Sequence, residues 1–330
     1  MTHPTTVTAR TTLTVPSDGF DFHFAQTHYI IYPWIQTPDA LSRVLRRDEH
    51  PIVAHIAPGA RSKRNVLSLR IQSASSLPRQ EVVAVKNQLE WALGLNDPSH
   101  LELARLAEED AVIAAALRVN QGIRPKRYLD LFEAICGAIC AQNVDFRRLF
   151  QMMKSLAVAF GPAVCIDGTT YSAFPLAEEV AAKTDLEVRA CKVGYRAKLI
   201  LGAATFLKDH PAYLNREALA SCNAEHAMGV LCAIPGIGPY SAGIVLGAGV
   251  GRSDIFHLDS FTRQILQTFY FKDRKVNDER LRTFAAKRWP GCAGAVAHLL
   301  TTNTEVWASA LGHEGFRPSG AQTKGAPDAR

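Results

Sequence analysis

The chain has 330 residues, 47% hydrophobic and 21% charged. These are ordinary globular proportions, which exclude a disordered chain, and at roughly 100–200 residues per domain the length predicts about two domains. Thirty-seven Lys and Arg against 31 Asp and Glu give +6, a mild lean toward polyanions that excludes a strongly basic tail-type binder.

The first 18 residues are rich in Thr and end in Pro16-Ser17-Asp18-Gly19, which predicts a loose start. No apolar signal region opens the sequence, and no run approaches the ~18 apolar residues of a membrane span. The expected location is therefore cytoplasmic, on the nucleoid in a bacterial cell. Residues 20–34 alternate aromatic and polar (Phe20, Phe22, Phe24, then Tyr29 and Ile31), a strand period. Ile52–Ile56 and Val66–Ile71 are further strands, and 79–94 reads as an amphipathic helix with Val82, Val83, Leu89 and Leu93 on one face. Residues 1–98 are thus expected to form a small antiparallel sheet carrying a helix.

The texture changes at Asn96-Asp97-Pro98-Ser99, and the signal to about residue 309 is helical. Predicted helices are Leu101–Val119, Leu129–Gln142, Asp145–Phe160, Leu176–Lys183, Arg196–Asp209, His226–Ala233, Ser241–Val250, Ser260–Phe271, Asp278–Arg288 and Ala293–Ala310. The fold class is α+β: the sheet domain, then an all-α region over 99–318 in two lobes. Residues 319–330 are expected to be a flexible tail. The seven cysteines are scattered, which fits reduced thiols. Cys136 and Cys140 stand four apart in an apolar helical run, a packing pattern rather than a metal pair.

The most informative run is Leu231-Cys232-Ala233-Ile234-Pro235-Gly236-Ile237-Gly238-Pro239-Tyr240-Ser241-Ala242. A helix ends, a glycine turn follows, and a helix opens at Pro239, a favoured first position. The glycines permit positive φ and close approach of another chain. Free N–H groups at such a turn hold a phosphate oxygen without reading a base. Gly-x-Gly alone also suits a plain interhelical turn; the longer run is the more specific signal. Downstream, Asp259 stands 21 residues past Gly238 and opens the helix that starts at Ser260. By position alone Asp259 reads as a helix N-cap.

Hairpin and aspartate together resemble the helix-hairpin-helix DNA glycosylase superfamily, in its 3-methyladenine DNA glycosylase II-like branch, shared in part with 8-oxoguanine glycosylases. Val193-Gly194-Tyr195-Arg196-Ala197-Lys198 and Ile139-Cys140-Ala141-Gln142-Asn143-Val144 support the resemblance. It implies an enzyme that flips a damaged base from duplex DNA and cuts the N-glycosidic bond, working as a monomer. Asp259 is the expected catalytic carboxylate. Bifunctional relatives carry a Lys where this chain has Tyr240, so a monofunctional enzyme is expected. Tyr240 is in addition a candidate to stack on the base, with Trp34, Phe132 and Trp289 as further base contacts. Expected DNA contacts are Gln142 and Asn143 as the plug, Pro235, Gly236, Ile237, Gly238, Tyr240 and Ser241 at the hairpin, and Arg196 and Lys198 from a basic cluster with Arg189 and Lys192. Asn143 departs from the larger apolar wedge common in the family. No organic cofactor is implied. Carbonyls of Cys232, Ile234 and Ile237 match the family's monovalent cation site. Only Cys292 follows Asp259, which leaves too few thiols for an iron–sulfur cluster there.

Alkylated purines are the expected substrates, because N3 or N7 alkylation makes the base a good leaving group without acid catalysis. The competing readings are a glycosylase for oxidised or deaminated bases (8-oxoguanine, hypoxanthine, uracil) and a non-catalytic binder of damaged DNA.

Overall fold

The structure, a computed structural model, describes residues 6–15, 19–47, 50–59 and 66–318. The expected tail, 319–330, lies outside them. The first sheet holds β1 (Val7–Thr14), β2 (Trp34–Gln36), β3 (Leu41–Leu45), β4 (Ile52–Pro58) and β5 (Val66–Ser73). All pairs are antiparallel, in the order β1-β5-β4-β3-β2.

Within the loose start predicted for residues 1–18, of which 1–5 and 16–18 lie outside the described residues, the expectation is corrected by β1, which pairs along its length with β5, Leu13 opposite Leu67. Its threonines are β-branched and suit a pleated edge. The strand predicted over 20–34 is corrected too. Helix α1 (Phe22–Thr27) occupies its first half, started by Asp21, whose carboxylate accepts from the Phe24 N–H at 3.0 Å. Phe24 stacks on His28 at 3.9 Å, a helical spacing.

Helix α2 (Arg79–Ala92) buries Val85, Leu89 and Ala92 in the core shared with the sheet. The single helix expected over Leu101–Val119 is two, α3 (Ser99–Glu109) and α4 (Ala111–Val119). Asp110 breaks them apart: its backbone is extended and its carboxylate caps Val112 and Ile113. After α5 (Leu131–Cys140) and α6 (Phe146–Phe160) comes a hairpin that the helical pattern concealed, β6 (Ala163–Ile166) and β7 (Thr169–Ser172). Its turn is Asp167-Gly168, both at positive φ, a pair suited to tight hairpins.

Then follow α7 (Ala177–Ala181), α8 (Asp185–Ala190), α9 (Arg196–Asp209), a 3-10 turn at Pro211–Leu214, α10 (Arg216–Ser221) and α11 (Ala224–Cys232). Helix α12 (Pro239–Ile244) runs on as a π-helical turn over Val245–Val250. The chain closes with α13 (Ser260–Phe271), α14 (Asp278–Arg288), α15 (Ala293–Leu300) and α16 (Thr304–Ser309). The last two were expected as one helix; Asn303, at φ 47, turns the chain between them.

Two cores organise the molecule. One joins the sheet to α2 and to the helices from α5 through α12. The other joins α3 and α4 to α13–α16, so the helices divide between two cores. Chain order alone hides that α3 and α4 belong with the C-terminal helices. Among the described residues no helix is long and apolar enough to cross a membrane.

Candidate active site

The hairpin is built as its sequence requires at one glycine and differently at the other. Gly236 has φ 83, and a Cβ there would come within 2.9 Å of the Leu199 Cβ on α9. Side chains rarely adopt that φ, so glycine is needed twice over. Gly238 is not at positive φ: it is extended (φ −96, ψ 179) and starts α12. A Cβ there would meet nothing in the protein, so no internal contact demands glycine at 238. Ile237 is buried beneath the turn, and Pro235 and Gly238 are exposed. Ser241 is buried in the first turn of α12.

Three loops are tied to one another at this surface. The Gln142 side-chain amide donates to the Gly236 carbonyl at 3.3 Å. The Arg196 guanidinium donates to the Gln142 carbonyl and lies 4.5 Å from the Tyr195 ring centre. Arg196 is therefore no phosphate ligand in this structure: it is buried and turned inward to hold the end of the α5 loop. Gln142 is half-buried and bound within the protein. Asn143, exposed and at φ 54, projects from the loop, and Lys198 is exposed on α9.

Behind the hairpin a cavity of about 320 Å³ opens between the two cores, at the small end of the range for ligand pockets. Small residues of α12 and its π-helical extension (Gly243, Gly247, Ala248) line one wall. A π-turn often marks a functional site. Aromatic walls come from Tyr29, Trp34, Phe146 and Tyr240.

Asp259 lines this cavity. It is also the N-cap of α13, accepting from the Thr262 N–H at 2.7 Å. The cap and the cavity-facing roles thus fall on one residue. A carboxylate has two oxygens and about four acceptor sites, so capping leaves acceptor capacity. The Arg252 guanidinium grips Asp254 at 2.9 and 2.6 Å and the Cys222 carbonyl at 2.7 Å, which braces the segment leading to Asp259. Tyr240 is half-buried. Burial and the Asp259 carboxylate, its hydrogen-bond partner, push its hydroxyl well above the usual phenol range. His257 stands edge-on to Tyr240 at 6.2 Å and fits against Gly243, where a Cβ would reach its own Cβ at 3.0 Å. Burial lowers its pKa, opposed by Asp259.

Of the aromatic residues expected at the base, Tyr240 and Trp34 line the cavity. Phe132 and Trp289 do not. Phe132 is buried in the core beside Phe174, at 6.3 Å. Trp289 is buried in the other core, with its ring against Tyr270 and Phe284. Both are aromatic residues spent on packing. Sequence reasoning missed Tyr29, Lys126, Phe146, His257 and His298, all of which line the cavity. Only His257 had a local signal, two residues before Asp259.

The other expected site is at the backbone. The Ile234 carbonyl accepts from the Ile237 N–H at 3.1 Å, so one of the three cation-site carbonyls is already engaged. Cys136 and Cys140 are buried on α5, and burial pushes the Cys140 thiol up to about 12, as packing predicts. Among the described residues no group of three or more His, Cys, Asp or Glu could hold a metal ion.

Comparison with protein-family models gives no match. By sequence the chain is 30% identical over 142 residues to a DNA-3-methyladenine glycosylase of Bacillus subtilis (43% of this chain, 46% of that protein). It is 27% identical over 172 residues to an N-glycosylase/DNA lyase OGG1 of Arabidopsis thaliana (51% and 46%). The match therefore spans about half the length of either relative. By structure it superposes on a 3-methyladenine DNA-glycosylase from Archaeoglobus fulgidus with a TM-score of 0.73 at 20% identity, covering 91% of this chain and 98% of that one. The resemblance carried by the hairpin and Asp259 is thus to the helix-hairpin-helix DNA glycosylase superfamily, and the chain has that superfamily's fold.

Proposed function

We propose that this chain is a monofunctional DNA glycosylase of base excision repair, and that alkylated purines are its substrate class. The observation that carries the reading is Asp259, opening into a base-sized aromatic cavity directly behind the hairpin. Flipping a nucleotide from the stack costs a few kcal/mol; the hairpin amides, with Asn143 entering the gap, offset that cost. In the cavity, Tyr240 and Trp34 offer faces on which a cationic purine stacks. The C1′–N bond breaks with its electron pair going to the base. The sugar becomes oxocarbenium-like, and the Asp259 carboxylate stabilises that charge and orients the water whose oxygen bonds to C1′ as it gives up a proton to that carboxylate. The products are free base and an abasic site. Tyr240 replaces the amine that a Schiff-base route needs at the hairpin. A monovalent cation would sit on the carbonyls of Cys232, Ile234 and Ile237. The set fits, because a carbonyl such as that of Ile234 keeps a second lone pair. Bound there, the cation would supply positive charge against the DNA backbone.

A second substrate reading, neutral oxidised or deaminated bases, is favoured by Lys126 in the cavity wall. A panel of duplexes with single lesions decides. The expected result is released alkylpurine, with strand cleavage only after alkali. No released base from any lesion overturns the enzyme in favour of a non-catalytic binder. A borohydride-trapped protein–DNA adduct overturns the monofunctional assignment.

The surface makes a separate prediction about DNA binding. Lys198→Ala is expected to lower the salt dependence of duplex binding by about 1 in log–log slope, as for one phosphate contact. Arg196→Ala is expected to leave that slope unchanged, because its guanidinium faces Gln142. Equal slopes for wild type and Lys198→Ala would remove Lys198 from the interface.

A further inference from the structure

Lys126 lies in the segment between α4 and α5, just after Pro125, and lines the same cavity as Asp259 and Tyr240. Its ammonium donates to the His28 backbone carbonyl. An ammonium carries three N–H donors, so two remain for the cavity. The arginines of the lining are engaged elsewhere: Arg124 donates to the Ile123 carbonyl, Arg127 pairs with Asp97, and Arg252 pairs with Asp254. Among the described residues no carboxylate pairs with Lys126, and burial alone pulls its pKa down, to about 7. At neutral pH the cavity therefore holds a partly protonated amine that no carboxylate pairs with directly, alongside the Asp259 carboxylate in the same lining.

We propose that Lys126 is the base-selecting residue of the cavity, favouring a neutral lesion base with an acceptor on its ring edge and opposing a base already made cationic by alkylation. This rests on the glycosylase reading above and, within it, sets a counterweight to the preference for alkylated purines. An ammonium in a low-dielectric cavity repels a second cation strongly, since Coulomb energies grow as the dielectric falls. The same ammonium donates to an oxo oxygen or ring nitrogen in a charge-assisted bond. The unprotonated fraction is what leaves room for cationic purines, so the residue tilts selection rather than closing the cavity to either class.

The test uses the full chain and two duplexes, one with 7-methylguanine (cationic) and one with hypoxanthine (neutral with an oxo acceptor). Single-turnover excision of each is measured for wild type, Lys126→Met and Lys126→Arg. Lys126→Met is expected to raise the 7-methylguanine-to-hypoxanthine rate ratio at least about tenfold, the equivalent of about 1.4 kcal/mol. Lys126→Arg, with a permanent charge, is expected to lower it. General damage to the fold slows both reactions and leaves the ratio in place. An unchanged ratio in both variants, with excision by wild type intact, overturns the selector role alone. No excision of either base by wild type overturns the glycosylase reading and this proposal with it.

Discussion

Asp259→Asn is expected to cut single-turnover base excision by at least about 10²-fold while leaving the fold and duplex binding largely intact. The substitution separates the two roles that meet on this residue. Asp259 caps α13 through one acceptor bond, to the Thr262 N–H. Asparagine keeps a side-chain oxygen and is as good an N-cap as aspartate, so the helix keeps its start. The charge is lost, and with it the attraction that the proposed mechanism needs as the sugar becomes cationic. Asp259→Ala is the complementary variant. It removes charge and cap together and is expected to cost in addition about 1 kcal/mol of stability. The hairpin lies on a different segment, 21 residues earlier, so affinity for duplex is expected to stay within a few-fold in Asp259→Asn. Thermal melting, duplex binding and excision rate are read on the same preparations. Near-wild-type excision by Asp259→Asn would remove the carboxylate from the chemistry and leave it as a cap only.

The features legible in sequence were those made by local chemistry. The hairpin was readable because Pro-Gly-x-Gly-Pro constrains its own backbone, and Gly236 takes the positive φ that such a turn needs. Helix α13 was readable to the residue because Asp259 caps it. Elements with competing local signals were misread. The Thr-rich start is a strand because β5 is there to pair with it, and the aromatic alternation after Phe20 is a helix because Asp21 caps one. The cavity wall was the least legible part. Tyr29, Lys126, Phe146 and His298 arrive from four separate segments, and no spacing within any one of them marks its destination. Phe132 and Trp289 show the converse, since aromatic residues in apolar runs mostly go to cores. Arg196 looked like a surface cation by composition. Its burial against Gln142 depends on how α5 and α9 cross, which no local pattern encodes.

Arg43→Met is expected to destabilise the fold by about 3–5 kcal/mol, the cost of stranding a buried charge. Arg43 on β3 is 2% exposed and Glu133 on α5 is 3% exposed. One guanidinium nitrogen donates to both Glu133 oxygens, at 2.9 and 2.7 Å. The pair clamps the sheet to the helix whose far end presents Gln142 and Asn143. Burial pushes the Glu133 carboxyl up to about 7, against the pull of Arg43. Without Arg43 that carboxyl goes higher still. The folded variant then holds a proton that the unfolded chain releases near pH 4.5. Stability of the variant therefore falls as pH rises from about 4.5 through the raised folded pKa, and its deficit against wild type widens toward alkaline pH. Arg43→Met/Glu133→Leu removes both charges and is expected to return to within about 1 kcal/mol of wild type, because a buried pair is often replaceable by apolar packing. Denaturant unfolding of both variants at acid and alkaline pH measures this, and a single-variant loss under about 1 kcal/mol would show the pair to be solvated rather than buried. The consequence reaches the cavity. The Arg43 guanidinium lies 5.4 Å from the Trp34 ring centre, and Trp34 lines the cavity wall. The pair that secures the sheet to α5 also braces the Trp34 ring in the cavity wall, so, on the proposed reading, Arg43→Met is expected to weaken base capture even under conditions where the variant remains folded.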